Sequence, residues 1–205
     1  IKFQTFKSED LTTEHAPLAE YQETNSPELI NQQTLLQKLQ LNLEQHKELK
    51  SYAINQNIEF LSTAFTLESV DLLSEIGLER WKIPSGEINN LPLLKKVAKQ
   101  NQPTIISTGM STIGEIELAL RTLYENNLPK EKITVLHCNT AYPTPFEDVN
   151  LNAMRTIRDC FDINVGYSDH TNGIEASIAA VALGAKVIEK HFTLDKNMNG
   201  PDHSS

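Results

Sequence analysis

The 205-residue sequence has only two cysteines, Cys138 and Cys160, and no CxxC pair. They are too few and too far apart for a disulfide framework or a cysteine metal site, so they read as small core residues of a protein suited to a reducing cytosol. No apolar run approaches the roughly 18 residues that a membrane helix needs, and no signal-peptide pattern opens the chain, so neither a membrane span nor secretion is expected. Positive charge is also short: 18 basic residues face 27 acidic ones, a net charge of -9. That balance opposes binding a polyanion over a broad surface and argues against a nucleic-acid partner. The Gly-rich dinucleotide fingerprint and the HxH pair of many metallohydrolases are missing as well. The ends, IKFQTF and GPDHSS, lead us to expect an internal piece of something longer.

What is present is a rhythm. Seven β-prone runs recur: IKFQT (1–5), IEFLS (58–62), RWKIPS (80–85), TIIST (104–108), ITVLHC (133–138), INVGYS (163–168) and KVIEKH (186–191). Amphipathic segments lie between them. Leu29, Leu36 and Leu39 stripe 28–40; Leu49, Tyr52 and Ala53 stripe 43–55; Val70, Leu73 and Ile76 end at Gly77, which suits a left-handed C-cap. Thr112 and Glu115 form a capping box. Leu151, Met154, Ile157 and Phe161 make a further stripe, and Ile174, Ile178 and Val181 the last, closed by Gly184. Strands alternating with helices predict parallel pairing, and nearly continuous apolar strands predict cover on both faces. We expect an α/β fold, a TIM-type (β/α)8 barrel over 1–205 lacking its first strand, so that these runs are strands 2 to 8; a doubly wound sheet is the runner-up. Residues 7–27 then form a long loop.

In such a barrel the site lies at the C-terminal mouth of the strands, and polar residues gather there. Lys2 and Gln4 share one face of the first run. Ser62 and Thr63 end the second, Lys82 and Ser85-Gly86-Glu87 close the third, and Ser107-Thr108 the fourth. Asn139-Thr140 follow the fifth, Ser168-Asp169-His170 the sixth and His191 the seventh. Strand-end hydroxyls commonly cap the next helix, but four strands ending this way, with two lysines whose burial needs an anion, describe a pocket for phosphate and carboxylate. His15 and His46 read as packed or surface residues and His137 as a hydrogen-bonded core residue. His170 and His191 end neighbouring strands about 4.8 Å apart, so they either share a divalent metal with open positions or are unrelated.

At these residues the sequence becomes familiar. KIPSGE, ISTGMSTIGEIE, HCNTAYPTPFEDVNL, GYSDHTNGIEAS, EKHFTLDK and GPDH, in this order, closely resemble the bacterial sialic acid synthase (N-acetylneuraminate synthase) family, legionaminate synthases included. The resemblance implies a cytoplasmic transferase that condenses phosphoenolpyruvate with an N-acylated amino sugar and releases phosphate. It implies a divalent metal, manganese before magnesium or cobalt, on His170 and His191. Lys2, Thr63, Lys82, Ser85, Ser107 and Ser168 match the phosphoenolpyruvate pocket; Gln4, Glu87, Asn139, Tyr142 and Asp202 match positions near the metal or the sugar, with Glu87 a candidate to move protons. Thr140 stands where some relatives have asparagine. The family's first strand, with a glutamate, and its C-terminal antifreeze-like domain, which lends an arginine to the partner in a domain-swapped homodimer, are not among these residues. N-acetylmannosamine is the first-choice sugar and 2,4-diacetamido-2,4,6-trideoxymannose the alternative; a metallohydrolase or a non-catalytic sugar-phosphate-binding barrel is the alternative of another class.

Overall fold

Each of the seven β-prone runs forms a strand. The computed structural model describes residues 1–19, 22–23, 31–198, 200 and 202–203. The strands are β1 (Lys2–Thr5), β2 (Leu61–Ala64), β3 (Trp81–Ile83), β4 (Thr104–Ser107), β5 (Ile133–Cys138), β6 (Asn164–Asp169) and β7 (Ile188–Lys190). They make one sheet in chain order, every neighbouring pair parallel. Several boundaries shift from expectation: β2 starts at Leu61, which puts Thr63 inside the strand, and β3 stops before Pro84, which has no amide hydrogen to donate to the ladder.

β1 and β7 are the two edges, so within the described residues the sheet does not close into the expected barrel. It curls nonetheless. Seven flat strands would separate the outer two by about 29 Å, whereas Lys2 Nζ on β1 lies 3.7 Å from Glu189 Oε2 on β7.

Helices α1 (Ser8–Leu11), α2 (Gln32–Leu39) and α3 (Leu43–Asn55) lie between β1 and β2. Then α4 (Leu67–Ile76), α5 (Leu91–Ala98), α6 (Ile113–Glu125), α7 (Asn152–Phe161) and α8 (Glu175–Ala182) follow β2 to β6 in turn. The expected capping box of Thr112 and Glu115 opens α6, and Gly77, at φ 79°, closes α4. The core fills the space between sheet and helices, with Leu73, Leu93, Leu94, Leu123 and Met154 fully buried; each such side chain contributes about 1.5–3 kcal/mol.

Four expectations are corrected. The stretch 7–27 is not all loop, since α1 occupies part of it. A helix unforeseen in the sequence, α5, uses Asn90 as N-cap and tolerates Pro92 because the first turn needs no donor there. Cys138 is buried, but Cys160 is exposed on α7. The stripe of Ile174, Ile178 and Val181 faces outward, with Ile178 61% exposed, because α8 lays Ala176 and Ala180 on the sheet instead. Leu29 and the expected helix start at Glu28 lie outside the described residues.

Candidate active site

The C-terminal ends of the strands surround a cavity of about 240 Å³. Alternation along each strand decides what enters it: Lys2 and Gln4 from β1, Thr63 from β2, Lys82 from β3, Ser107 from β4, and Ser168 from β6. Ser85, Tyr142, His170, His191 and Asp202 reach it from the loops beyond. Leu35, Leu36 and Leu39 of α2 supply an apolar wall. Gly109 leaves room for Ser85: it has a left-handed φ of 53°, and a Cβ there would meet Ser85 Cβ at 2.6 Å.

Two of the sequence-derived site residues are placed elsewhere. Glu87 ends the short turn Ser85–Glu87, and its Oε2 accepts from Asn90 Nδ2 at 2.7 Å, beside the α5 N-terminus. The Asn139 side chain donates to the Asp148 carbonyl at 2.8 Å, so this residue meets the site through its backbone. Thr140 is exposed and packs its methyl toward Gly109.

One residue that sequence reasoning left unassigned is central. Glu189 of β7 accepts a hydrogen bond from Ser168 Oγ at 3.0 Å and lies 3.7 Å from the ammonium groups of both Lys2 and Lys82. Period two along KVIEKH puts Glu189 on the same side as His191, a signal available in the sequence. Burial pushes its carboxyl up, but the charges of Lys82 and Lys2 and the Ser168 hydrogen bond leave it below the ordinary value.

Lys82 is 3% exposed, and its Nζ donates to Ser107 Oγ at 2.8 Å and to the Ile83 carbonyl at 3.2 Å. Burial drives its ammonium down from 10.5 to about 8, against the upward pull of Glu189. Two ammoniums against one carboxylate leave this end of the cavity net positive. Thr63 Oγ1 is buried beside them without a hydrogen-bond partner, an arrangement that a ligand oxygen would relieve.

The adjoining wall is aromatic. The rings of His170 and His191 are 5.5 Å apart at 84°, and Tyr142 lies tilted on His170 at 4.2 Å. Burial holds both imidazoles below the ordinary histidine value, with Asp202, 3.6 Å from His191 Nδ1, pulling the latter back up. Burial therefore favours the neutral form of both imidazoles. The Asn139 carbonyl, 2.7 Å from His170 Nδ1, can only accept, so Nδ1 carries the proton and Nε2 keeps its lone pair. A backbone acceptor behind one ring nitrogen is how metal-binding histidines are usually oriented; the other nitrogen, Nε2, lies 3.3 Å from Ser168 Oγ. Among the described residues no group of three or more His, Cys, Asp or Glu could hold a metal by itself, so these two imidazoles would need ligands from water, substrate or other parts of the protein.

Three other histidines match their expected classes. His137 Nε2 lies 2.8 Å from the Val149 carbonyl in the core, and His15 is exposed. His46 is fully buried: its Nδ1 donates to the Asn42 carbonyl at 2.8 Å, and its Nε2 meets Thr5 Oγ1 at 2.8 Å.

Comparison with known proteins gives the arrangement a context. The chain is 57% identical over 205 residues to an N,N'-diacetyllegionaminic acid synthase of Campylobacter jejuni, covering 100% of this chain and 61% of that protein. It is 47% identical to the Legionella pneumophila protein of the same name, covering 99% and 58%. Among solved structures, an N-acetylneuraminic acid synthetase of Leptospira borgpetersenii, crystallised with citrate, superposes with a TM-score of 0.86 at 33% identity over 98% of this chain and 65% of that one. The chain thus spans about six-tenths of the length of these curated relatives. A description of the NeuB family matches every residue from 1 to 205, and on that match and these identities the chain belongs to the NeuB family.

Proposed function

We propose that these residues form the anion- and metal-binding part of a synthase that condenses phosphoenolpyruvate with an N-acylated amino sugar aldehyde to give a nonulosonic acid and phosphate. The observation that carries this reading is the composition of one cavity: a buried ammonium, a second ammonium and an unpartnered hydroxyl, with two imidazoles beside them that Ser168 links to Glu189. Lys2 and Lys82 fix the phosphate and carboxylate by charge, and Thr63, Ser85, Ser107 and Ser168 offer hydroxyls, so the enol is held with its C3 toward the aromatic wall. Manganese, or magnesium or cobalt in its place, would sit on His170 and His191 and, when bound, polarise the sugar aldehyde. Tyr142, Gln4 and Asp202 border the space left for the sugar. Glu189, inside the cavity, replaces Glu87 as the carboxylate placed to handle a proton there.

The sugar is 2,4-diacetamido-2,4,6-trideoxymannose ahead of N-acetylmannosamine, an order reversed from the sequence reading because the relatives at 57% and 47% identity are both legionaminic acid synthases. In the full-length protein we place these strands in a closed (β/α)8 barrel, with a domain-swapped homodimer completing the site in the cytoplasm. The curl of the sheet supports the barrel and the two free cysteines the reducing compartment, while the dimer is carried over from the family resemblance.

Heavy oxygen at the bridging position of phosphoenolpyruvate tests the chemistry. As C3 bonds to the aldehyde carbon, water oxygen bonds to C2 and the C2–O bond breaks, so the bridging oxygen leaves with phosphate. Full-length protein should give labelled phosphate and unlabelled sugar acid, while label kept in the sugar acid would mean attack at phosphorus and would overturn the reading.

A further inference from the structure

Behind the cavity wall lies a buried charge that the proposed chemistry does not use. Asp169, the last residue of β6, is 0% exposed and does not line the cavity. Such a carboxylate costs several kcal/mol unless it is paired and fully hydrogen-bonded. It is: Asp169 Oδ1 accepts from Thr171 N at 2.9 Å and from Thr171 Oγ1 at 2.7 Å, and Oδ2 accepts from Ser177 Oγ at 2.5 Å. Lys190 Nζ stands 3.4 Å from Oδ2 and donates to the Thr171 carbonyl at 2.7 Å.

The position of this network gives it a role. The backbone ladder between β6 and β7 ends at the pair Asp169↔Lys190. The next residue on each strand is His170 or His191, beyond the last strand pairing. The network anchors the residues on both sides of His170, namely Asp169 and Thr171, and ties them to the residue immediately before His191. It pins the same strand ends from the helix side that Tyr142 covers from the cavity side.

We infer that Asp169 and Lys190 are positioning residues that fix the spacing and orientation of the two imidazoles through the ion pair at the end of the β6–β7 ladder. This assignment rests on the reading of His170 and His191 as a metal pair. Partners of this kind, one step removed from the ligands, alter metal affinity by about 10- to 100-fold when changed.

The test uses full-length, metal-free protein titrated with manganese, with cobalt as a spectroscopic probe. Asp169→Asn keeps the shape and removes the charge; Lys190→Met keeps the stem and removes the ammonium. Each should weaken manganese binding at least tenfold and alter the visible cobalt spectrum, while phosphoenolpyruvate affinity of the metal-free protein stays within twofold of wild type. Because the two residues act as one unit, the double variant should be no weaker than the poorer single one. If Asp169→Asn does not fold, Lys190→Met, at a position 24% exposed, carries the same test. Manganese affinity within twofold of wild type in the folded variants, with His170→Ala abolishing it, would overturn the positioning role and leave the metal pair standing. Unchanged binding in His170→Ala would overturn both.

Discussion

Replacing Lys82 by Met separates what this residue does for the fold from what it does for the ligand. The side chain is 3% exposed, and its ammonium is held at about 8 rather than 10.5. A depression of that size corresponds to about 3 kcal/mol of destabilisation of the charged form. The unfolded chain keeps this proton up to 10.5 while the folded chain releases it near 8, so the cost is fully present below pH 8 and is relieved as pH rises through that window. Met keeps the stem, removes the charge and leaves Glu189 with Lys2 at 3.7 Å as its remaining ammonium. At pH 7 the ligand-free full-length variant should therefore unfold at a temperature no lower than wild type. Phosphoenolpyruvate should bind it about 10- to 150-fold more weakly, because a charge-assisted contact is worth roughly 1.5–3 kcal/mol. In wild type, kcat/KM for phosphoenolpyruvate should fall as pH rises through about 8, where the ammonium is lost, and the variant should lack that step. Calorimetric titration and a pH–rate profile read both outcomes. Affinity within twofold of wild type, with the pH step retained, would refute the assignment of Lys82 as an anion ligand.

Two further outcomes follow from buried polar groups. Glu189→Gln removes the negative charge between Lys2 and Lys82, so metal-free protein should bind phosphoenolpyruvate about fivefold more tightly, the equivalent of about 1 kcal/mol of relieved competition, even as turnover falls; weaker binding by titration would count against Glu189 as the internal counter-ion. His46→Leu keeps most of the volume but strips the hydrogen bonds to Thr5 and the Asn42 carbonyl, and should cost about 1–3 kcal/mol in urea unfolding, whereas an unchanged midpoint would show that the pair contributes nothing net.

The seven strands, their order and their parallel pairing were legible because each run is short, β-prone and followed by a helical stripe. Eleven of the thirteen residues proposed for the site line the cavity: period two and strand ends aim most of them, while Tyr142 and Asp202 came from the family resemblance alone. Failures have particular causes. Ile174, Ile178 and Val181 repeat correctly for a buried face, but periodicity cannot tell a face packed on the sheet from one left open. Helix α5 was missed because Pro92 reads as a breaker unless its first-turn position is recognised. Glu87 looked functional from its motif, and the structure sets it outside the cavity lining, with Oε2 accepting from Asn90. Glu189 was overlooked although period two aims it with His191, and its role as counter-ion shows only when Lys2, from the far end of the chain, is brought opposite it.

That last contact governs the order in which the molecule can assemble. Each strand and the helix after it are local, so they can collapse early, whereas Lys2 meets Glu189 only after nearly the whole chain has been ordered between them. A partly folded chain can therefore have most of its helices and still have no anion site. Ligands of this cavity select the completed structure, and at a hundred times its dissociation constant such a ligand adds about 2.7 kcal/mol against global unfolding. Protection by phosphoenolpyruvate thus doubles as a probe of whether the two edges of the sheet have been brought to the same cavity.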